Sequence, residues 1–137
     1  MTSGKISTSI TPMLSVRNGA AALDFYQQGF GATVVDRFDG PNGRLIIGEL
    51  FMDGVKFFVS EEAPELGNVA PEKYNSTTVR LELTIEDPDG FVERAVAAGA
   101  RIVFPVADQD YGWRQGRIID PFGHQWVVGR PIQQHNS

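Results

Sequence analysis

The 137-residue sequence has no cysteine. That excludes disulfides, thiolate nucleophiles and every cysteine-based zinc site. Histidine is almost missing too, with His124 and His135 alone. No apolar run approaches the ~18 residues that a membrane-spanning helix needs. The opening MTSGKISTSI lacks the apolar stretch of a secretory leader, so the expected compartment is the cytoplasm and no membrane contact is expected. Positive charge is scarce: 12 Lys and Arg stand against 17 Asp and Glu, a formal net charge of −5, with no Lys/Arg block. Nucleic-acid binders usually carry a basic patch, so that class is set aside.

What is present suits one globular domain. Hydrophobic residues reach 42%, enough for a packed core at this length without staples. Runs rich in Val, Ile and Phe predict strands at 9–16, 33–38, 44–52 and 55–60. A second set follows at 78–85, 101–106, 116–120 and 125–129. Two helices are predicted. The first, NGAAALDFYQQGFG (18–31), has Asn18 as cap, Leu23, Tyr26 and Phe30 on one face, and Gly29 and Gly31 at its end. The second, DPDGFVERAVAAGA (87–100), has Asp87 as cap, Pro88 in the first turn, Val92 and Val96 as inner stripe, and Gly99 as stop.

The two halves repeat. Leu14, Val16 and Asn18 match Leu83, Ile85 and Asp87 at an offset of 69. GATVV matches GARIV at 68, and DGVKFFV matches FGHQWVV at 69. Caps, glycine stops and strand patterns agreeing at one offset indicate an internal duplication, each half strand–helix–strand–strand–strand. The stretch ADQDYGWRQGR reads as an insertion in the second half, and EEAPELGNVAPEKYNS as an exposed, partly stiff linker.

ITPMLSV, AALDFYQQGFGA, AVAAGARIVFPV and GRIIDPFGHQWVV together resemble the vicinal oxygen chelate superfamily. It includes glyoxalase I, extradiol dioxygenases, fosfomycin-resistance enzymes and bleomycin-resistance proteins. The pattern is most similar to its PhnB-like branch. The resemblance implies an α+β fold of two tandem βαβββ modules with curled sheets and helices outside. It places one domain over residues 8–130, with modules 8–62 and 76–130, linker 63–75 and a flexible tail 131–137. It also implies a homodimer, with pockets between modules of one chain or of two.

Metal enzymes of the superfamily take His or Glu ligands from strands one and four of each module. On this sequence those positions fall at Thr11, Phe58, Arg80 and Val127. Phenylalanine and valine offer no donor atom. Arginine repels a cation: like charges ~4 Å apart cost on the order of 4 kcal/mol at an effective dielectric of ~20. No metal and no other cofactor is therefore expected. Other donors would be Glu49, Glu82 and His124, but Glu82 shares a sheet face with Arg80, and a polar patch with Arg80 paired to Glu82 or Glu49 is the expected arrangement.

Alternation places Thr11, Met13, Ser15, Lys56, Phe58, Ser60, Arg80, Glu82, Thr84, Gln125 and Val127 on the concave face. The insertion adds Tyr111, Trp113, Arg114 and Arg117, aromatics and guanidiniums that suit a planar or anionic ligand, or cover a loop or dimer interface. Arg80 is a candidate anion anchor. Glu49, Glu82 and Asp108 are candidate acids or bases, and nothing selects among them. Two readings of function follow. One is a metal-free binder of a small organic molecule, such as an antibiotic or toxic metabolite. The other is a lyase, isomerase or dioxygenase with a non-standard metal site or carboxylate catalysis. A dimer with no pocket ligand of its own is a third. His124 reads as a turn residue facing away from the pocket.

Overall fold

Hydrophobic alternation and two capped helices build the chain in the order β1 (Met13–Val16), α1 (Gly19–Phe30), β2 (Thr33–Asp39), β3 (Leu45–Met52), β4 (Val55–Glu61), β5 (Arg80–Thr84), α2 (Pro88–Ala97), β6 (Arg101–Asp108), β7 (Trp113–Ile119) and β8 (Gln125–Pro131). This computed structural model describes residues 4–132. His135 and most of the expected tail lie outside the described residues. The strands form two mixed four-stranded sheets, β1-β4-β3-β2 and β5-β8-β7-β6. In each the outer pair is parallel, and the registers agree with the repeat: Met13 lies opposite Phe58, and Glu82 opposite Val127. The fold is α+β, two βαβββ units in tandem.

Both helices start where the sequence places caps. The Asn18 side chain accepts from the Ala21 N–H at 3.0 Å, and Asp87 from the Gly90 N–H at 3.0 Å. Glu61, at the end of β4, adds a second acceptor for α1 by taking the Gly19 N–H at 3.1 Å. Gly31 closes α1 in the left-handed region at φ 73°. Gly29, expected as a stop, instead sits inside α1. A Cβ there would lie 3.1 Å from the Ala98 Cβ, so this glycine lets the end of α2 approach α1. The inner stripe of α2 also differs from expectation: Phe91, Val92 and Ala95 are buried, while Val96 is 38% exposed. At 3.6 residues per turn Ala95 projects between Phe91 and Val92, whereas Val96 falls beyond Val92 at the edge of that arc.

Three further expectations are corrected. Strand β1 begins only at Met13, because Pro12 has no N–H to give the ladder, although its carbonyl accepts from the Phe58 N–H at 2.9 Å. The supposed insertion adds no residues: Asp36–Glu49 and Phe104–Arg117 pair at one 68-residue offset around it, and 107–117 forms the end of β6, a turn at Gln109–Gly112 closed where the Gln109 N–H donates to the Trp113 carbonyl at 2.7 Å, and the start of β7. The linker is tied down. It makes two short 3-10 turns, buries Ala70 and Pro71, and is held where the Ala70 N–H donates to the Glu62 carboxylate at 3.2 Å.

One core serves both halves. Tyr26 and Phe30 of α1 meet Phe57 of β4 and Trp126 of β8 edge-on, with ring centres 4.9–6.2 Å apart. Phe91 of α2 stacks on Phe30 at 4.7 Å. Each such pair contributes ~0.5–1.5 kcal/mol beyond burial of its surface. The corner before β8 is locked into this cluster by Asp120, the one buried charged residue among those described. Its carboxylate accepts from the Tyr26 hydroxyl, Trp126 Nε1 at 2.9 Å, the Phe122 N–H at 2.9 Å and the His124 N–H at 3.0 Å. Four donors offset the cost of burying the charge. Burial, reinforced by this neighbouring carboxylate, holds the Tyr26 hydroxyl well above its ordinary pKa.

Candidate functional site

The helix-packed faces of the sheets carry Leu14, Val16, Phe57, Val59, Trp126 and Val128, all buried. Alternation therefore turns the intervening side chains to the opposite, open faces. Across the first sheet, paired residues form the row Asp36–Glu49–Phe58–Met13. Across the second, the equivalent row is Phe104–Arg117–Val127–Glu82. Each member of the second row stands 68 or 69 positions after its counterpart.

The site residues named from sequence divide between these two faces. Met13, Ser15, Glu49 and Phe58 lie on the first, and Thr11 just precedes β1. Arg80, Glu82, Val127 and Trp113 belong to the second, with Tyr111 in the adjoining turn. The cavity beside Glu49 and Phe58 shares no residue with the cavity beside Tyr111 and Val127. One chain thus brings each half-site together but not the two halves.

One charged residue falls elsewhere than expected, and one expected ion pair is absent among the described residues. Arg114 points to the helix side of β7, where its guanidinium holds both oxygens of Asp89 at 2.7 and 2.8 Å and Asp108 at 3.0 Å. It is two residues from Gly116, whose neighbour across the ladder is the buried Val128, so alternation sends it away from Tyr111. The bond from Arg114 pulls the Asp89 carboxyl below its ordinary pKa, and Asp89, followed by Asp108, raises that of Arg114. The expected Arg80–Glu82 ion pair does not form: both side chains are exposed, and no ion pair of either occurs among the described residues. On an open face water solvates each charge at little cost, so no pairing is forced.

The donor chemistry does not fit a divalent metal. Phe58 and Val127 occupy mid-strand positions on the open faces with hydrocarbon side chains, and Arg80 brings a positive charge. Among the described residues, no three His, Cys, Asp or Glu side chains group to hold an ion. His124 is engaged otherwise. It follows the Asp120 corner as expected, but its Nε2 donates to the Ser15 carbonyl on β1 at 2.9 Å and the ring borders a cavity of about 480 Å³ under the linker. A carbonyl only accepts, so this nitrogen carries the proton.

Sequence reasoning missed Asp36, Phe104, Gln109 and Gln115, whereas it named Arg117 with Tyr111, Trp113 and Arg114 as a group suited to a planar or anionic ligand. Arg117 and Phe104 were within reach of the repeat, being the counterparts of Glu49 and Asp36. Gln109 and Gln115 carry no such signal, since the stretch that holds them reads as an insertion without a counterpart in the first half.

A sequence model of the Glyoxalase/Bleomycin resistance protein/Dioxygenase superfamily matches residues 9–128. The chain belongs to that superfamily. Among its relatives, an uncharacterized protein of Mycobacterium bovis is 34% identical over 134 residues, covering 96% of this chain and 88% of that one. The fold is similar to an Arabidopsis thaliana gene product of known structure, at TM-score 0.71 and 27% identity, covering 91% of this chain and all of that one. Two solved structures of lower identity are similar in fold alone. TioX from Micromonospora matches at TM-score 0.71, 23% identity and 92% of this chain against 100% of its own. The fosfomycin resistance protein of Listeria monocytogenes, solved with manganese(II) and sulfate, matches at 0.69, 17% and 93% of each chain. No helix among the described residues is long and apolar enough to cross a membrane.

Proposed function

We propose that this chain is a metal-free small-molecule-binding protein of the PhnB-like branch. It works as a homodimer in which the first open face of one copy and the second open face of the other enclose the ligand. The observation that carries this reading is the pair Phe58 and Val127. They stand at equivalent strand centres, where metal enzymes of the superfamily need donors, and present only carbon. Large apolar side chains support the enclosure: Met13 is 65% and Phe104 57% exposed in a single chain. Apolar surface beside a few charged groups suits an organic ligand with a flat body and polar ends. Sequestration of an antibiotic or toxic metabolite is the role such a pocket serves.

The test is elemental analysis of dialysed protein, together with sedimentation and a thermal-shift screen of aromatic and glycopeptide compounds. The reading expects no stoichiometric metal, a dimer, and at least one compound that raises the melting point. A ligand at ~100 times its dissociation constant adds ~2.7 kcal/mol. One equivalent of tightly held zinc, nickel, manganese or iron overturns it, as does a screen without any shift.

A further inference from the structure

We infer that Arg117 anchors a carboxylate on the open face of the second sheet, and that the ligand taken there is a small planar organic acid. The assignment deepens the ligand-binding reading and rests on it, but its cavity is complete within one chain. That cavity holds about 290 Å³ and is lined by Phe104, Gln109, Tyr111, Gln115, Arg117 and Val127. Its size is near the lower end of the ~300–1,000 Å³ typical of ligand pockets, which restricts the occupant to one or two rings.

Three observations point to an anion. First, Arg17, Arg37, Arg44, Arg114 and Arg130 are each paired with a carboxylate. Arg117, like Arg80, Arg94 and Arg101, has no such partner among the described residues, and of these four it alone lines this cavity. Its one polar contact is the neutral Gln125 Oε1 at 3.4 Å. Second, the guanidinium is held rather than loose. It lies over the Phe104 ring at 5.2 Å, between Phe104 and Val127 in the cross-strand row. Stacking and apolar neighbours fix the plane and thin its hydration, leaving N–H groups for a planar, two-oxygen acceptor. Third, the neighbouring amide offers a donor. The Tyr111 hydroxyl donates to Gln115 Oε1 at 2.6 Å, so the Gln115 Nε2 is left to donate. The Phe104 ring gives a flat surface against which an aromatic body can lie.

The sequence had pointed to Arg80 as the anchor. Arg80 lies one row away, beside Gln125, and borders none of the cavities described above. The two arginines are therefore separable by experiment.

Benzoate is the probe and benzamide its uncharged counterpart. Binding is read by calorimetry and by two-dimensional NMR of the full chain. Wild type is expected to bind benzoate at least tenfold more tightly than benzamide, with shifts in the Gln115 side-chain amide, Tyr111 and Val127. Arg117→Met is expected to lose at least tenfold in benzoate affinity, Arg117→Lys to recover only part, and Arg80→Met and Arg114→Met to stay within about twofold. Equal affinity for the two probes overturns the assignment. So does retention of benzoate by Arg117→Met, or wild-type shifts centred away from Gln115. The absence of saturable benzoate binding at millimolar concentration also sinks it. If neutral aromatics bind and benzoate does not, the anion site fails while the ligand-binding reading stands. If benzoate binds through Arg117 in a protein that also retains a metal, the metal-free reading fails and the anion site stands.

Discussion

Glu49 and Arg117 occupy the same place in the repeat, on the third strand of their modules and beside Phe58 and Val127. One is acidic and the other basic, and the difference extends over both open faces. The first carries Asp36 and Glu49 with Lys56, the second Arg80, Arg101 and Arg117 with Glu82. On the helix sides the halves agree instead: Leu14, Val16, Phe57 and Val59 match Leu83, Ile85, Trp126 and Val128, all apolar. Shared burial holds the inner positions to one chemistry, because a charge there would lose its hydration. The open positions bear no such penalty and have diverged toward what they face.

The largest expected effect separates the two corners before β4 and β8. Asp120 ties its corner to α1 of the other half, whereas the counterpart turn Asp53–Gly54 has no such tie. Asp120→Ala leaves the Tyr26 hydroxyl and Trp126 Nε1 buried without an acceptor, a loss on the order of 4 kcal/mol. Asp53 is in the left-handed region at φ 46°, so Asp53→Gly relieves strain and stays within about 1 kcal/mol of wild type. Urea titration of both variants checks the contrast. Similar losses would mean that the Asp120 network does not distinguish the halves.

A smaller effect separates Gly116 from its counterpart Gly48. A Cβ on Gly116 would lie 2.7 Å from the Phe104 carbonyl oxygen and the Val106 nitrogen, both backbone. Beside Pro105 the β6 ladder shifts register and crowds β7. A Cβ on Gly48 would meet side-chain tips alone, Leu23 at 3.1 Å and Leu45 at 3.8 Å. Gly116→Ala is expected to cost ~1–3 kcal/mol and Gly48→Ala less than ~1 kcal/mol, measured as shifts in the urea midpoint. Equal costs would show that the β6 bulge gives way.

The smallest effect concerns Arg114 and Asp89, whose counterparts Ile46 and Ala20 carry no charge. The native Asp89 carboxyl titrates below its ordinary value. Its contribution is therefore present above the unfolded pKa of ~3.9 and is lost as pH falls through the lower native value. Arg114→Met should be slightly less stable than wild type at neutral pH, and the two melting curves should converge as the pH falls through the lowered native value. In ~1 M salt the difference should shrink, because both side chains are largely exposed. A gap that persists in acid or salt would assign the effect to packing of the arginine stem.

Much of the fold was legible because its signals are local. Caps at Asn18 and Asp87, the stop at Gly31 and period-two strands depend on neighbours in the chain. The errors arose where a neighbour in space decides. Gly29 reads as a stop until α2 packs on it, and 107–117 reads as an insertion until the hairpin pairs. Of the candidate site, both strand-four positions and the faces of Arg80 and Glu82 were legible from alternation and the repeat. The direction of Arg114 was not, because it depends on which residue of β7 opposes Val128.

By itself the sequence determined the duplication of a strand–helix–strand–strand–strand unit and the absence of thiolates, because composition and periodicity need no partner to be read. Only the tertiary structure decided that Asp120 is buried, that His124 spends its proton on the Ser15 carbonyl, and that Arg117 rather than Arg114 lies in a cavity with its charge unpaired. Those depend on which strands pair and in what register, and a one-residue slip in β7 would exchange the two arginines between the open face and the helix face.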